Sequence, residues 1–391
     1  MRRCLHKAFN VNNSLQKRRR RNYYRRDGLK LKNNKASGGV VIGGYYGFGN
    51  LGDEAILDSA VRALRGVLPA ESICVLSASP EETEKRLGVC SVQRKNIFKV
   101  IGKMCSSSLY ISGGGGLLQD DTSRRSLWFY LLLVKLGKRL CGHVCVLANG
   151  VGSIRQKKLA ARVLRCADRV SVRDGESAKR LFQMGIFAEV CADPVFALPF
   201  LPEGRERFGY YAVCLKHGER IDLDALSAFC NMYRRRGLQA MFISMQEEED
   251  DSLCREAASR CGGRFVSPQS FEFLEYLLSG AEFAVGMRLH FLIGAARVEV
   301  PFVSLGGDCK VSDFVDLWGC GARNVPLDCG ASALSEAVEN AAAAQSEYKK
   351  ERSEKLAQLS SLAQEELTRL CRVCVSLCGD GRKNEISLGE I

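Results

Sequence analysis

The chain has 391 residues, 46% of them hydrophobic and 26% charged, which is enough to bury a large core and to build two or three domains. Its net charge of +13 suggests a nucleic-acid binder only until the charge is mapped. Residues 1–37 hold 13 Lys/Arg, including the run Lys17 to Arg21, against one acid, Asp27, and the remainder carries 44 basic and 43 acidic residues. The basic signal belongs to an arm, so a nucleic-acid partner is not expected of the body.

That arm has few apolar residues and no hydrophobic run of the kind a secretory signal needs, and its composition predicts disorder. Attraction to anionic lipid headgroups and an unconstrained tail are both open readings of it. The longest apolar run, Leu127 to Val134, is eight residues, about 12 Å as helix against a bilayer core of about 30 Å. It reads as a buried or membrane-grazing helix rather than a span. Eighteen cysteines are scattered through apolar patterns, and without a secretory signal they read as reduced thiols in a cytoplasmic protein. Cys371 and Cys374 form the single Cys-x-x-Cys pair and have no second pair at metal-site spacing, so no metal is expected.

From Val40 onward, short apolar strands alternate with amphipathic helices. Strands are predicted over 39–43, 72–77, 109–112, 143–148 and 169–172, with helices over 54–68, 126–140, 156–166 and 176–184. A stretch rich in Pro, Gly and charge follows over 193–209. The alternation then restarts, with strands over 210–215, 239–244, 283–285 and 302–305 and helices over 223–235, 250–260, 270–279 and 289–297. This pattern predicts an α/β protein of two Rossmann-like domains, 38–200 and 205–330, facing across a cleft with a hinge near residue 200. Closing helices over 331–378 and a polar tail over 379–391 complete the chain.

Ligands of open parallel sheets sit beyond the carboxyl ends of the strands, and the informative segments fall there. Gly43 to Glu54 (GGYYGFGNLGDE) joins the first strand to the first helix. Its glycines, Gly47 among them, permit close backbone approach, and Asn50, Asp53 and Glu54 place polar groups at the helix start, which suits a sugar better than a phosphate. It is not a phosphate-binding P-loop. Ser112 to Arg125 (SGGGGLLQDDTSRR) carries four consecutive glycines, including Gly114 and Gly115, followed by Asp121. Val172-Arg173-Asp174 ends another strand, and Arg173 either faces the cleft or pairs with Asp174. Finally, Val285 to Lys310 puts Arg288 and His290 at a strand-to-helix junction and ends on Gly306, Gly307 and Lys310, an array able to hold a small polyanion. Arg288 as an ion-pair partner and His290 as a core histidine remain open as plainer readings.

Six stretches, GYYGFGNLGDEAIL, ISGGGGLLQDDTSRRSLWFYLLLVKLGKRL, NGVGSI, SVRDGESAKRL, ADPVFAL and VGMRLHFLIGAARVEVPFVSLGGDCKVSDF, together resemble the polysaccharide pyruvyl transferase family, in its bacterial cell-wall CsaB branch. They follow one another in family order across roughly residues 40–315. The resemblance implies a fold like that of B-type glycosyltransferases, phosphoenolpyruvate as a donor substrate, no separate cofactor, and a 4,6-linked pyruvate ketal on a hexosamine of a lipid-linked disaccharide precursor. The resemblance further implies that the polymer made from that precursor anchors surface-layer proteins. A peripheral place at the inner face of an anionic membrane is consistent with that acceptor, and a homo-oligomer is compatible with it. Lys216-His217-Gly218 departs from the arginine-containing strand end of relatives, which bears on acceptor identity. A nucleotide-sugar glycosyltransferase of the same fold is the alternative.

Ketal formation from phosphoenolpyruvate needs cations for its carboxylate and phosphate, an acid for its methylene carbon and a base for the sugar hydroxyls. Arg288, His290 and Lys310 are the expected catalytic group, joined on the donor side by Arg173, Gly306 and Gly307. Gly47, Asn50, Asp53, Gly114, Gly115 and Asp121 are expected on the acceptor side.

Overall fold

The computed structural model describes residues 38–120, 123–200 and 208–378. The predicted basic arm and polar tail lie outside them. So do Asp121 and residues 201–207 of the predicted hinge.

The first half is a parallel sheet in the order β3-β2-β1-β4-β6-β7-β8. Its strands are β1 (Gly39–Gly43), β2 (Ile73–Ser77), β3 (Cys90–Gln93), β4 (Ser107–Ser112), β6 (His143–Val151), β7 (Arg169–Val172) and β8 (Glu189–Val190), with β5 (Gly115–Leu118) added alongside β6. Five crossing helices are α1 (Leu51–Arg65), α2 (Pro80–Leu87), α3 (Ile97–Cys105), α4 (Arg124–Leu140) and α5 (Lys157–Leu164), and α6 (Gly175–Gln183) follows β7. The strands are near-continuous apolar runs because both faces are covered. Val41, Leu76 and Tyr110 pack under α3 and α4 on one face, and Val40, Ile42 and Ile73 pack under α1 on the other.

The second half repeats the plan with six parallel strands in the order β11-β10-β9-β12-β13-β14. These are β9 (Tyr210–Cys214), β10 (Gln239–Ile243), β11 (Arg264–Val266), β12 (Ala281–Gly286), β13 (Phe302–Leu305) and β14 (Arg323–Val325). The helices are α7 (Leu223–Arg234), α8 (Glu247–Cys261), α9 (Phe271–Ser279), α10 (Leu289–Arg297) and α11 (Cys309–Trp318), and α12 (Ala331–Glu347) packs on α7 and the β13–β14 edge. In each sheet the strand order reverses once, between β1 and β4 and between β9 and β12. A crevice opens at each reversal, because the connections on either side diverge to opposite faces.

The sequence pattern missed the short elements α2, β3, α3, β5, β8, β11, α11 and β14. The glycine run expected to be a loop is in part strand: Gly115 pairs with Asn149 and Leu118 with Val151.

The last helix, α13 (Lys349–Cys378), returns to the first half. Its Leu367, Leu370, Cys371 and Cys374 join the core beneath β1 and α1, and Leu359 and Ala363 join that of the second half. Glu366, fully buried, accepts from Arg169 through both oxygens and from the Ser171 hydroxyl at 2.6 Å, tying α13 to β7. Removing Glu366 takes from Arg169 its bidentate partner and leaves it the bond to Glu189 at 2.8 Å. Glu366→Ala should therefore destabilise the fold by about 1.5–3 kcal/mol, read as a lower denaturant midpoint.

Candidate functional site

The two reversals face each other, so the segments after β1, β7, β9, β10, β12 and β13, with Gly116 of β5, line one cleft. Asn50, Asp53, Gly116, Arg173, Lys216, Arg288, His290, Asp308 and Lys310 line it.

The first wall is set by the start of α1. Asn50 is extended and caps the helix, its side-chain oxygen accepting from the N–H groups of Gly52 at 3.1 Å and Asp53 at 3.3 Å. Its amide donates to Gln246 at 3.2 Å, and the Leu51 N–H donates to the Met245 carbonyl at 3.0 Å. Asn50, expected on the acceptor side, thus joins the two halves where it lines the cleft. Asp53 faces the cleft too.

The second wall is built on β12 and α10. Arg288 precedes α10 and donates from Nε to Asp250 at 2.8 Å and from Nη2 to Asp250 at 2.6 Å and Glu249 at 3.2 Å; Nη1 takes no part in these bonds. The ion-pair reading of Arg288 and its place in the cleft therefore hold together. His290 is buried, with Nε2 3.4 Å from Asp193 Oδ2, an ion-pair distance without hydrogen-bond alignment. Asp193 also accepts from Arg173 Nη1 at 3.2 Å, and Arg173 Nε lies 3.8 Å from Asp174, so Arg173 meets its neighbour and the cleft at once. Lys216 contacts Asp308 at 3.3 Å. Lys310, by contrast, has no carboxylate within ion-pair distance among the described residues.

Glycines make this crowding feasible. A Cβ on Gly52 would lie 2.0 Å from His290 Nδ1, one on Gly116 2.4 Å from Lys310 Nζ, and one on Gly115 2.3 Å from Asp53 Oδ1. The glycine-rich segments admit side chains of the cleft itself.

Electrostatics follow from burial among mixed charges. Burial pushes the Asp53 carboxyl up, against the pull of His290, Lys310 and Arg173. Burial, reinforced by Arg173, brings the Lys310 ammonium down to about 8 despite Asp308. Burial also opposes ionisation of Asp193, but His290 and Arg173 outweigh it and hold that carboxyl below its ordinary value.

Six expected residues thus converge: Asn50, Asp53, Arg173, Arg288, His290 and Lys310. Gly47 lines a neighbouring cavity, where its N–H donates to Glu54 at 2.7 Å. Gly114 packs against Ile56, and Gly306 and Gly307 form the turn from β13 to α11 instead of lining the cleft. Sequence reasoning missed Asp193, Asp250 and Asp308, and marked Lys216 only as a departure at a strand end. Asp193 had a signal in ADPVFAL, whereas Asp250 sits in an acidic run that reads as solvated helix yet is fully buried beneath Arg288. Among the described residues no group of three His, Cys, Asp or Glu is arranged to hold a metal ion.

Two Rossmann-like domains with a charged cleft at their facing reversals define the architecture of B-type glycosyltransferases. The chain is similar in fold to a putative UDP-N-acetylglucosamine 2-epimerase from Listeria monocytogenes, with 9% identity, TM-score 0.56, and 90% of this chain and 99% of that one covered. It is similar also to UDP-GlcNAc 2-epimerase from Neisseria meningitidis, at 9% identity and TM-score 0.55 over 85% of this chain and 100% of that one. A glycosyltransferase from Rickettsia africae aligns at 10% identity and TM-score 0.54 over 88% and 99%. No curated protein matches the sequence. The sequence model of the polysaccharide pyruvyl transferase family matches residues 50–308, well over half the chain, and the chain belongs to that family.

Proposed function

We propose that this transferase moves pyruvate from phosphoenolpyruvate onto a hexosamine of a lipid-linked cell-wall precursor as a 4,6-ketal, as in the CsaB branch. The observation that carries the donor assignment is Lys310: a buried ammonium without an ion-pair partner among the described residues, in a cleft shared with Arg173, Arg288 and Lys216. Such a group is stabilised by an incoming anion. Phosphoenolpyruvate supplies a carboxylate and a phosphate.

In this reading Lys310, Arg173 and Arg288 hold the two anionic groups, and His290 gives a proton to the methylene carbon, leaving the central carbon oxocarbenium-like. A sugar hydroxyl adds to that carbon while Asp53 takes its proton. Phosphate then departs with the C–O bonding pair and carries away the proton held by Asp53, regenerating an electrophilic carbon; the second hydroxyl closes on it to the ketal and its proton returns to His290. Asp193 orients His290 and Arg173.

The direct test is phosphate release by pure protein given phosphoenolpyruvate and lipid-disaccharide analogues, with a UDP-sugar in place of phosphoenolpyruvate as the competing case. Turnover of the UDP-sugar alone would overturn the donor assignment. Asp53→Asn keeps the shape and removes the base, so it should lower kcat by about 10²-fold or more with a smaller change in phosphoenolpyruvate affinity. Equal loss of donor affinity would move Asp53 from base to donor binding.

A further inference from the structure

One face of the first half has a composition that folding does not account for. From Arg94 to Ala167 the sequence holds 14 Lys/Arg and two acids, Asp120 and Asp121. Three helices lie in this stretch, α3 packing on α4 and α4 on α5. All three lack an acid in the first turn. In its place stand Lys99 on α3, Arg124 and Arg125 on α4, and Lys157 and Lys158 on α5, all exposed. Cations at a helix N-terminus oppose the macrodipole, so three adjacent helices begin against their own electrostatics. Of the Lys and Arg from Arg94 to Ala167, Lys138 alone has an ion-pair partner among the described residues, Asp168, which also lies 3.9 Å from His143 Nδ1.

Large apolar side chains stand out of the same face. Phe98 is 85% exposed and Ile97 39%, both at the start of α3; Trp128 is 54% and Leu132 47% exposed, one turn apart on α4. Along α4 the outward stripe reads Arg124, Arg125, Trp128, Leu132, Lys135, Arg139, alternating charge with apolar bulk, while Leu127, Leu131 and Val134 point into the core. A surface of cations interleaved with Phe, Ile, Trp and Leu matches the anionic headgroups and outer acyl region of a bilayer.

The placement is as telling as the composition. α3, α4 and α5 begin after the carboxyl ends of β3, β5 and β6, the side of the sheet on which the cleft opens. Gly116 lines the cleft, and α4 starts eight residues further on. Lipid seated on these first turns would lie along the rim of the site.

We infer that the folded face made by α3, α4 and α5 docks on an anionic phospholipid bilayer, inserting Phe98 and Trp128 and placing the rim of the cleft at the headgroups. This is distinct from any contribution of the arm at residues 1–37, and it does not rest on the donor or acceptor proposed above.

Trp128 makes the test local, because the chain's second tryptophan, Trp318, is buried in the second half. The full chain is mixed with vesicles of equal phosphatidylglycerol and phosphatidylcholine, with brominated or ordinary acyl chains and without substrates. The expected result is quenching of tryptophan emission by the brominated chains, lost in Trp128→Phe. Sedimentation with the ordinary vesicles should show binding weakened about tenfold or more by Phe98→Ser with Trp128→Ser, or by Lys99→Glu with Arg124→Glu and Lys157→Glu, at unchanged Tm. Phosphatidylcholine alone should bind at least tenfold more weakly. Vesicle binding without quenching would assign docking to the arm and overturn the inference. So would binding indifferent to both sets of substitutions, or a face that instead mediates self-association or RNA binding and ignores vesicles.

Discussion

Replacing His290 by alanine should lower the maximal rate of phosphate release by about 10²- to 10⁴-fold, the scale of losing a positioned proton donor, equivalent to about 3–5 kcal/mol in the barrier. The imidazole is held from two sides. Gly52 lets it sit against the first turn of α1, and the Asp193 carboxylate stands 3.4 Å from Nε2. Asp193→Asn keeps the shape and removes that counter-charge. With the carboxylate gone the ring loses the group that faces Nε2, so this variant should also lower kcat, by less than His290→Ala. The measurement is kcat for the wild type and the two variants. Undiminished turnover in His290→Ala would return His290 to the role of a core histidine.

Lys310→Ala should reduce kcat/KM for phosphoenolpyruvate by about 10²-fold or more, and the wild-type dependence on pH should carry the mark of this lysine. Its ammonium has been brought down to about 8, first by burial and then by Arg173. Below that value it is charged and binds the anion; above it the charge is lost. The specificity constant is therefore sustained on the acid side and declines as pH rises through about 8. Lys310→Arg, whose charge persists, should flatten that decline even if it lowers the plateau. Because a bound anion offsets the cost of the buried charge, phosphate or phosphoenolpyruvate should raise Tm in the wild type and do so less in Lys310→Ala. Anion stabilisation that survives unchanged in the variant would take Lys310 out of the clamp.

The family, the alternation of strands and helices and the positions of most cleft residues were legible in the amino-acid order, because they rest on local signals. Val40 to Ile42 and Tyr211 to Cys214 are apolar runs of strand length, and Asn50, Asp174 and Asp222 sit where helix N-caps must sit. Arg173, Arg288, His290 and Lys310 stand at or just beyond strand ends, which in a parallel sheet is enough to place them on the ligand side. Local signals say nothing about partners distant in the chain. That Asp193 joins Arg173 to His290, that buried Asp250 grips Arg288, and that Asn50 reaches Gln246 across the two halves all depend on segments 20 to 196 residues apart meeting in space. The glycines show the same limit. Their number signalled close approach, but only the tertiary structure decided that His290, Lys310 and Asp53 are what approach Gly52, Gly116 and Gly115. The return of α13 to the first half was likewise invisible, since an amphipathic helix records that it has an apolar face and not which core will bury it.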